Sequence, residues 1–348
     1  MIPVKAFAAQ SPSTPLAPFQ FERRDLREHD VLIDILFSGV CHSDLHQARD
    51  EWGGSMYPMV PGHEIVGKVI KVGSHVKKFN IGETAGVGVM VDSCRECKPC
   101  QSLMEQYCTE GMTGTYNNYE RDKVTIAQGG YSTQIVCDER WVYHVADSLD
   151  PAGVAPLLCA GITTYSPLKY ANVKPGDKVA VAGLGGLGHM GVKFAVAMGA
   201  EVTMLSTSPA KEADARKLGA HHFVLSNDAA AMAKLDSQFD VVLDAVSGNH
   251  DYQIYLKLLA LGGKLLVVGL PKDEPKLSPF DLVKNRRCII GSMIGGTAET
   301  QEMLDFCAEK NIVADVEVIP MQYINEAYER MLKNDVKYRF VIDMSSLK

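Results

Sequence analysis

The stretch Val179-Ala180-Val181-Ala182-Gly183-Leu184-Gly185-Gly186-Leu187-Gly188-His189 decides how this chain folds. Its first four residues carry no polar side chain, which suits a strand covered on both faces. Gly183, Gly185 and Gly188 then match G-x-G-x-x-G, between that strand and a helix running through MGVKFAVAMGA. The spacing has a physical purpose. The first glycine allows a tight turn, the second lets backbone approach a pyrophosphate, and the third permits close helix–strand packing. The helix N-terminus attracts the anion. The whole run, including Leu184, Gly186 and Leu187, is therefore a candidate dinucleotide loop. Val179 to Ala200 is nearly uncharged, but it holds six glycines with His189 and Lys193, so it is not a membrane span.

Strands and helices alternate outward from this loop. Strands are expected at 201–206, 221–225, 240–246, 263–269 and 288–292, with helices at 209–219, 229–235, 251–260 and 299–310. Alternation of this kind predicts a parallel sheet covered on both faces, and six strands fit two mononucleotide-binding halves. The first 150 residues are instead β-rich and irregular. Runs 31–37, 63–73 and 133–138 read as strands, with a long loop over 90–130. The tail returns to strand-like runs at 316–320 and 338–344 and is expected to rejoin the first domain.

Dinucleotide sites for NAD place Asp or Glu about 20 residues beyond the glycines, on the ribose 2′-hydroxyl. Here the second strand ends in Ser206-Thr207-Ser208-Pro209-Ala210-Lys211, and no carboxylate appears before Glu212. Three hydroxyls can donate to a 2′-phosphate and the ammonium can neutralise it. NADP(H) is the expected cofactor.

Length and composition bound the rest. With 348 residues, two domains are expected at roughly 150 residues each. The 46% hydrophobic and 22% charged content is that of an ordinary globular chain. A net charge of −7 argues against a general nucleic-acid or anionic-membrane binder. The N-terminal MIPVKAFAAQSPSTP has no apolar segment of signal-peptide length, so a cytoplasmic location is expected. There the nine cysteines stay reduced, and a disulfide framework is the poor explanation for them.

Four of the nine form Cys94-x2-Cys97-x2-Cys100-x7-Cys108 inside the long loop. Four thiolates so close together suit a closed tetrahedral structural zinc site, whose binding energy would fold a loop with little core of its own. A redox switch or an iron–sulfur cluster could use the same residues, but nothing else in the chain suggests electron transfer. Cys137, Cys288 and Cys307 lie in apolar strand or amphipathic helix contexts and are expected to be buried and inert.

Two further segments are rich in chemistry: Gly39-Val40-Cys41-His42-Ser43-Asp44-Leu45-His46 and Pro61-Gly62-His63-Glu64. Together with YPMVPGHE (57–64), GGYS (129–132), PLLCAGITTYSPLK (156–169), GSMIGG (291–296) and ETQEMLDFCAE (299–309), the chain resembles the zinc-dependent medium-chain alcohol dehydrogenases. It is most similar to their cinnamyl-alcohol-dehydrogenase-like branch, which includes bacterial broad-range NADPH aldehyde reductases. The resemblance covers essentially the whole chain.

The resemblance implies an α/β protein with two domains. One is a GroES-like, partly open β-barrel catalytic domain over 1–147 and 289–348. The other is a Rossmann doubly wound domain over 148–288. It implies a catalytic zinc on Cys41, His63 and Cys159, with Glu64 able to enter the metal sphere and Asp44 accepting from the His63 ring. A second, structural zinc on the four-cysteine cluster makes two per chain. It implies a proton relay from Ser43 through the nicotinamide ribose to His46. Thr163, Gly269, Ser292, Met293 and Ile294 match cofactor contacts. Trp52 and Ile294 match pocket walls. Plant lignin enzymes often carry an aromatic where this chain has Gly114, which points to a broad aldehyde range including aromatic and aliphatic substrates. The implied partners are small alcohols and aldehydes and a second copy of the chain, as a homodimer or a tetramer.

A polyol or threonine dehydrogenase is the near rival, but those commonly prefer NAD. A zinc-free quinone reductase would lack both cysteine sets. A silent zinc- and nucleotide-binding sensor has no use for Ser43 and His46. The hydroxyl-rich loop generates a direct test: kcat/KM with NADPH should exceed that with NADH, and equal or better efficiency with NADH would refute the 2′-phosphate reading.

Overall fold

The computed structural model describes residues 1–347. The chain opens with β1 (Ile2–Ala8), β2 (Ala17–Arg23) and β3 (Asp30–Val40), then helix α1 (His42–Ala48), β4 (Ile65–Val72) and β5 (Thr84–Val87). The region expected to be a long loop is broken by short elements: β6 (Met90–Asp92), α2 (Lys98–Gln101), β7 (Thr113–Gly114), β8 (Asn118–Tyr119) and β9 (Ile126–Ala127). Strands β10 (Gln134–Asp138) and β11 (Val142–His144) and helix α3 (Pro151–Val154) follow. Next come α4 (Ala160–Tyr170), β12 (Lys178–Ala182), α5 (Gly188–Ala197), β13 (Glu201–Ser206), α6 (Glu212–Lys217) and β14 (His222–Leu225). After α7 (Ala229–Ala233) come β15 (Phe239–Asp244), α8 (Tyr252–Leu258), β16 (Leu259–Val267), α9 (Pro279–Val283) and β17 (Cys288–Gly291). The tail is α10 (Thr297–Lys310), β18 (Val316–Pro320), α11 (Ile324–Leu332) and β19 (Arg339–Asp343).

These elements form two compact units, Met1–Cys159 with Gly295–Lys348, and Ala160–Ile294. Residues 148–159 belong to the first because α3 and the 3-10 turn after it pack on β3, β4 and β19. That unit is built on a seven-stranded sheet ordered β11-β5-β4-β3-β19-β18, with β10 also pairing β3. Strand β3 is the spine. Val31, Ile33 and Ile35 are fully buried, and Phe340 of β19 pairs with Val40. The tail thus supplies two strands to the sheet that begins at residue 30. Helix α11, for which the sequence reading has no element, buries Ile324, Ala327, Tyr328 and Met331. This is the i, i+3, i+4, i+7 stripe of a helix with one covered face.

The second unit is a six-stranded sheet ordered β14-β13-β12-β15-β16-β17 with every pairing parallel. In sheet order that is 3-2-1-4-5-6, the doubly wound arrangement with its reversal between β12 and β15. Val179, Ala180, Val181 and Ala182 are completely buried, as the unbroken apolar run requires. The expected helix at 209–219 is shorter. Pro209–Lys211 is a 3-10 turn, and α6 stops at Lys217 before Gly219, whose φ is +102°. Cys137 and Cys307 are buried, but Cys288 is exposed, contrary to expectation. It lies on β17, an edge strand with a single ladder partner, so its apolar neighbours do not guarantee cover.

No helix among the described residues is long and apolar enough to cross a membrane.

The glycine loop separates folding from binding. A Cβ on Gly188 would stand 1.7 Å from the Gly183 carbonyl oxygen, whereas one on Gly185 would meet nothing within 4 Å. Gly188→Ala should therefore cost about 3 kcal/mol or more and lower Tm. Gly185→Ala should leave Tm nearly unchanged while weakening dinucleotide binding. Calorimetry and cofactor titration of the two variants check this.

Candidate active site and metal centres

Cys41 ends β3 and starts α1, and Asp44 sits three residues into that helix start. The Asp44 carboxylate reaches back to accept the Cys41 N–H at 2.9 Å, a local closure that fixes the Cys41 side chain. The same carboxylate accepts from Gly62 N at 3.0 Å, His63 Nδ1 at 3.0 Å and Tyr131 Oη at 3.2 Å. Because Nδ1–H is spent on Asp44, the His63 ring offers Nε2 to a ligand. Cys159 follows the 3-10 turn Ala155–Leu158 and lies 3.9 Å, sulfur to sulfur, from Cys41. Ligand atoms of Cys41, His63, Glu64 and Cys159 all fall within 4.8 Å of one another.

The electrostatics of this cluster call for a cation. The hydrogen bond with Cys159 pulls the Cys41 thiol well below its usual range, with Arg339 and His63 adding to the shift. The same contact and burial push the Cys159 thiol up. Burial disfavours the His63 imidazolium, yet Asp44 and Cys41 beside it hold its pKa well above the ordinary value. Burial lifts the Glu64 carboxyl to about 7 against the pull of Arg339, which is ion-paired with Glu64 Oε1. Glu64 Oε2 is buried without a hydrogen-bond partner. Two sulfurs, one imidazole and an unpartnered carboxylate oxygen at these separations are a donor set that fits zinc.

The four-cysteine cluster is equally well formed. Sulfur atoms of Cys94, Cys97, Cys100 and Cys108 lie within 4.8 Å of one another, with Cys97 and Cys100 at 3.4 Å. Backbone N–H groups of Cys94, Cys97 and Thr109 point at the sulfurs of Cys108, Cys94 and Cys97. The amides of Cys100 and Thr109 bring the Cys97 thiol down to about 6, while burial pushes Cys100 up to about 12. Four sulfurs gathered in this way, three of them receiving backbone N–H groups, are the donor set of a closed zinc site.

Ser43 lies on α1 with Oγ 3.7 Å from Cys41 Sγ. One turn further, His46 Nδ1 is 2.5 Å from Glu51 Oε2, and its ring centroid is 5.2 Å from that of Trp52. The His46 side chain is 30% exposed, so it meets water on one side. Trp52 is 57% exposed, and Ile294 is buried with φ +39°. Gly114 pairs with Met90, and a Cβ there would approach the Tyr116 carbonyl oxygen at 3.1 Å.

In the other unit, Gly183 turns with φ +88°, close against Ala245 and Val246 at the end of β15. Gly269 presses on the same Val246 backbone from the end of β16. The open space over Gly185 and the start of α5 at Gly188 form a cradle that fits a pyrophosphate. Beside it, Ser206 Oγ accepts from Ser208 N, Thr207 is exposed, and Lys211 Nζ donates to the Leu184 carbonyl at 2.7 Å. The hydroxyls and ammonium are thus gathered at the edge of the cradle. Leu184 is buried, while Gly186 and Leu187 complete the turn into α5. Thr163 lies half-buried on α4, Ser292 N donates to Val267 O, and Met293 is 43% exposed.

A doubly wound unit with a glycine cradle, joined in one chain to a unit with two zinc-ready donor sets, defines a zinc-binding nucleotide-dependent dehydrogenase. Residues 27–147 match the alcohol dehydrogenase GroES-like domain, and residues 186–309 match the zinc-binding dehydrogenase family. The chain is 53% identical over 349 residues to NADP-dependent alcohol dehydrogenase C 1 of Mycolicibacterium smegmatis, with 100% of both covered. It is 52% identical to the aldehyde reductase YahK of Escherichia coli, with 99% of both covered. A cinnamyl alcohol dehydrogenase from Helicobacter pylori, solved in complex with NADP(H), superposes with a TM-score of 0.93 at 44% identity, covering 100% of this chain and 99% of that one. The chain belongs to the zinc-binding alcohol dehydrogenase family, in its cinnamyl-alcohol-dehydrogenase-like branch.

Several residues at the site have no role in the sequence reading. Glu51 follows His46 by five positions, a spacing with no motif. Tyr131 sits inside the GGYS segment that carries part of the resemblance, but nothing local says that its hydroxyl faces Asp44. Arg339 is 275 residues from Glu64, and only the β19–β3 pairing brings it close. In the dinucleotide-binding unit, His250, to which the sequence assigns no role, is bonded to the buried Asp244 at 2.8 Å.

Metal analysis should find two zinc ions per chain, one for each donor set. Cys41→Ser should reduce this to one and abolish turnover while dinucleotide binding persists. Undiminished turnover in a preparation freed of zinc would overturn the assignment.

Proposed function

We propose that this protein is a zinc-dependent NADP(H) alcohol dehydrogenase and aldehyde reductase that interconverts primary alcohols and aldehydes over a broad aromatic and aliphatic range. The observation that carries the reading is the meeting of Cys41, His63, Glu64 and Cys159 within 4.8 Å, with a buried Glu64 oxygen left unpartnered. Zinc, when held there, supplies Lewis acidity at the substrate oxygen. NADPH supplies the hydride that the carbonyl carbon accepts in reduction. Everything else is done by side chains. Asp44 holds the His63 ring and the Cys41 backbone. Ser43 Oγ gives a proton towards the substrate oxygen in reduction and takes one in oxidation. His46 Nδ1 is bonded to Glu51, which leaves Nε2 to exchange that proton with water.

Support for NADP(H) over NAD comes from Ser206, Thr207, Ser208 and Lys211 and from the absence of a carboxylate among them. In the same reading, Met1–Cys159 with Gly295–Lys348 carries the catalytic chemistry, Cys159 included, and Ala160–Ile294 holds the dinucleotide. Thr163, Gly269, Ser292, Met293 and Ile294 contact the cofactor, and Trp52 with Ile294 flank the substrate. The protein works in the cytoplasm, as a homodimer or a tetramer, with its ligand thiols reduced.

A panel of aromatic and aliphatic aldehydes and of polyols, assayed with NADPH and NADH, tests the reading. Turnover of several aldehydes with NADPH is the expected result, and activity confined to polyols with NAD would sink it. Ser43→Ala should lower kcat by about a hundredfold or more while the zinc content stays unchanged.

A further inference from the structure

Helix α10 begins without a capping side chain, since its N-cap is Gly296. The first N–H groups of an α-helix have no acceptor within the helix, and Glu105 provides one for Thr297. Its carboxylate accepts from Thr297 N at 3.0 Å through Oε2 and from Thr297 Oγ1 at 2.9 Å through Oε1. The residue is only 8% exposed. A carboxylate at a helix N-terminus is also favoured by the aligned peptide dipoles. Gly296 has no Cβ for a steric reason: one would stand 1.9 Å from the Leu103 carbonyl oxygen and 2.8 Å from Glu105 Oε2.

Glu105 and Leu103 belong to the four-cysteine lobe. They lie between Cys100 and Cys108, and backbone bonds lock them to both. Leu103 N donates to Cys100 O at 3.1 Å, Met104 N to Pro99 O at 2.9 Å, and Cys108 N to Glu105 O at 3.0 Å. Whatever holds the four sulfurs therefore holds the Glu105 backbone. Directly upstream of Gly295-Gly296 in the chain is the run Ser292-Met293-Ile294, whose backbone takes an unusual turn at Ile294, with φ +39°.

We propose that Glu105 is a positioning residue: it caps α10 from the four-cysteine lobe, so that the metal held by that lobe fixes the backbone leading out of Ser292–Ile294 and thereby tightens cofactor binding. The lobe's metal is thus wired to the dinucleotide through one carboxylate, in addition to folding its own loop. The cofactor half of this statement rests on the NADP(H) reading above; the capping half does not.

The test uses the zinc-loaded full chain and three variants: Glu105→Ala, Glu105→Gln and Thr297→Ala. Hydrogen–deuterium exchange should rise about tenfold in peptides covering 292–300 of Glu105→Ala, with the rest of the molecule and the zinc content unchanged. KM for NADPH should rise about fivefold with kcat within twofold of wild type. Glu105→Gln, which keeps an acceptor for Thr297 N–H, should recover most of both effects. Adding Thr297→Ala to Glu105→Ala should change little, because Glu105→Ala already removes the Oγ1 bond. Unchanged exchange in 292–300, or additive effects in the double variant, would overturn the cap. A normal cofactor KM beside increased exchange would overturn the link to binding. Exchange raised throughout the molecule, or zinc lost from Glu105→Ala, would mean a general stabilising role and would also overturn it. A wild-type protein that fails to bind NADPH would refute the cofactor reading instead, and the exchange arm would still decide the cap.

Discussion

The catalytic donor set depends on one buried carboxylate. Asp44 has no exposed surface and accepts from four donors drawn from three parts of the chain: Cys41 N, Gly62 N, His63 Nδ1 and Tyr131 Oη. A buried carboxylate without such partners would cost several kcal/mol. With them it becomes a rigid node. It closes the first turn of α1, pins the Pro61-Gly62 turn, and selects the ring nitrogen that His63 keeps for a ligand. Each of these settings is needed before Cys41 and His63 can address the same point.

Around that node the protein concentrates groups that repel one another when charged. Cys41, Cys159 and Glu64 share a space where burial penalises charge, and Arg339 offsets only part of it. Such a cluster is costly alone and favourable once a divalent cation supplies the missing positive charge. The four-cysteine lobe solves the same problem differently, by aiming backbone amides at sulfur. In each place part of the set is prepared as thiolate, Cys41 in one and Cys97 in the other, the form in which cysteine binds metal. The structural lobe then passes its order onward through Glu105, whose cap on α10 uses an interaction that a helix needs in any case.

Much of this was legible without coordinates. The apolar run Val179–Ala182 and the three glycines after it can only be a covered strand and a tight turn. The alternation beyond them leads to the six-stranded parallel sheet that the second unit shows. The four cysteines of the lobe lie within fifteen residues, so their meeting is a local matter. The limits of short elements were less legible. α6 shortened because Pro209 and Gly219 bracket it, and α11 has polar residues on one face that hide its buried stripe. Cys288 is exposed where an apolar run predicts burial, because an edge strand and a central strand can share one apolar sequence and pairing alone distinguishes them.

The local chemistry is written in short stretches of the chain: the glycine turn, the hydroxyl-rich end of β13, the cysteine lobe and the Cys41–Asp44 helix start. These depend on residues a few positions apart, where backbone sterics and short-range hydrogen bonds decide the outcome. Which distant groups meet is set by how the whole chain packs. Cys159 reaches Cys41 across 118 positions, Arg339 reaches Glu64 across 275, and Glu105 reaches Thr297 across 192. No periodicity or spacing encodes such meetings. They follow from β19 pairing with β3, from the 3-10 turn before Cys159 packing on β3, and from α10 starting against the lobe, and all follow from burying enough apolar surface to offset the loss of chain entropy.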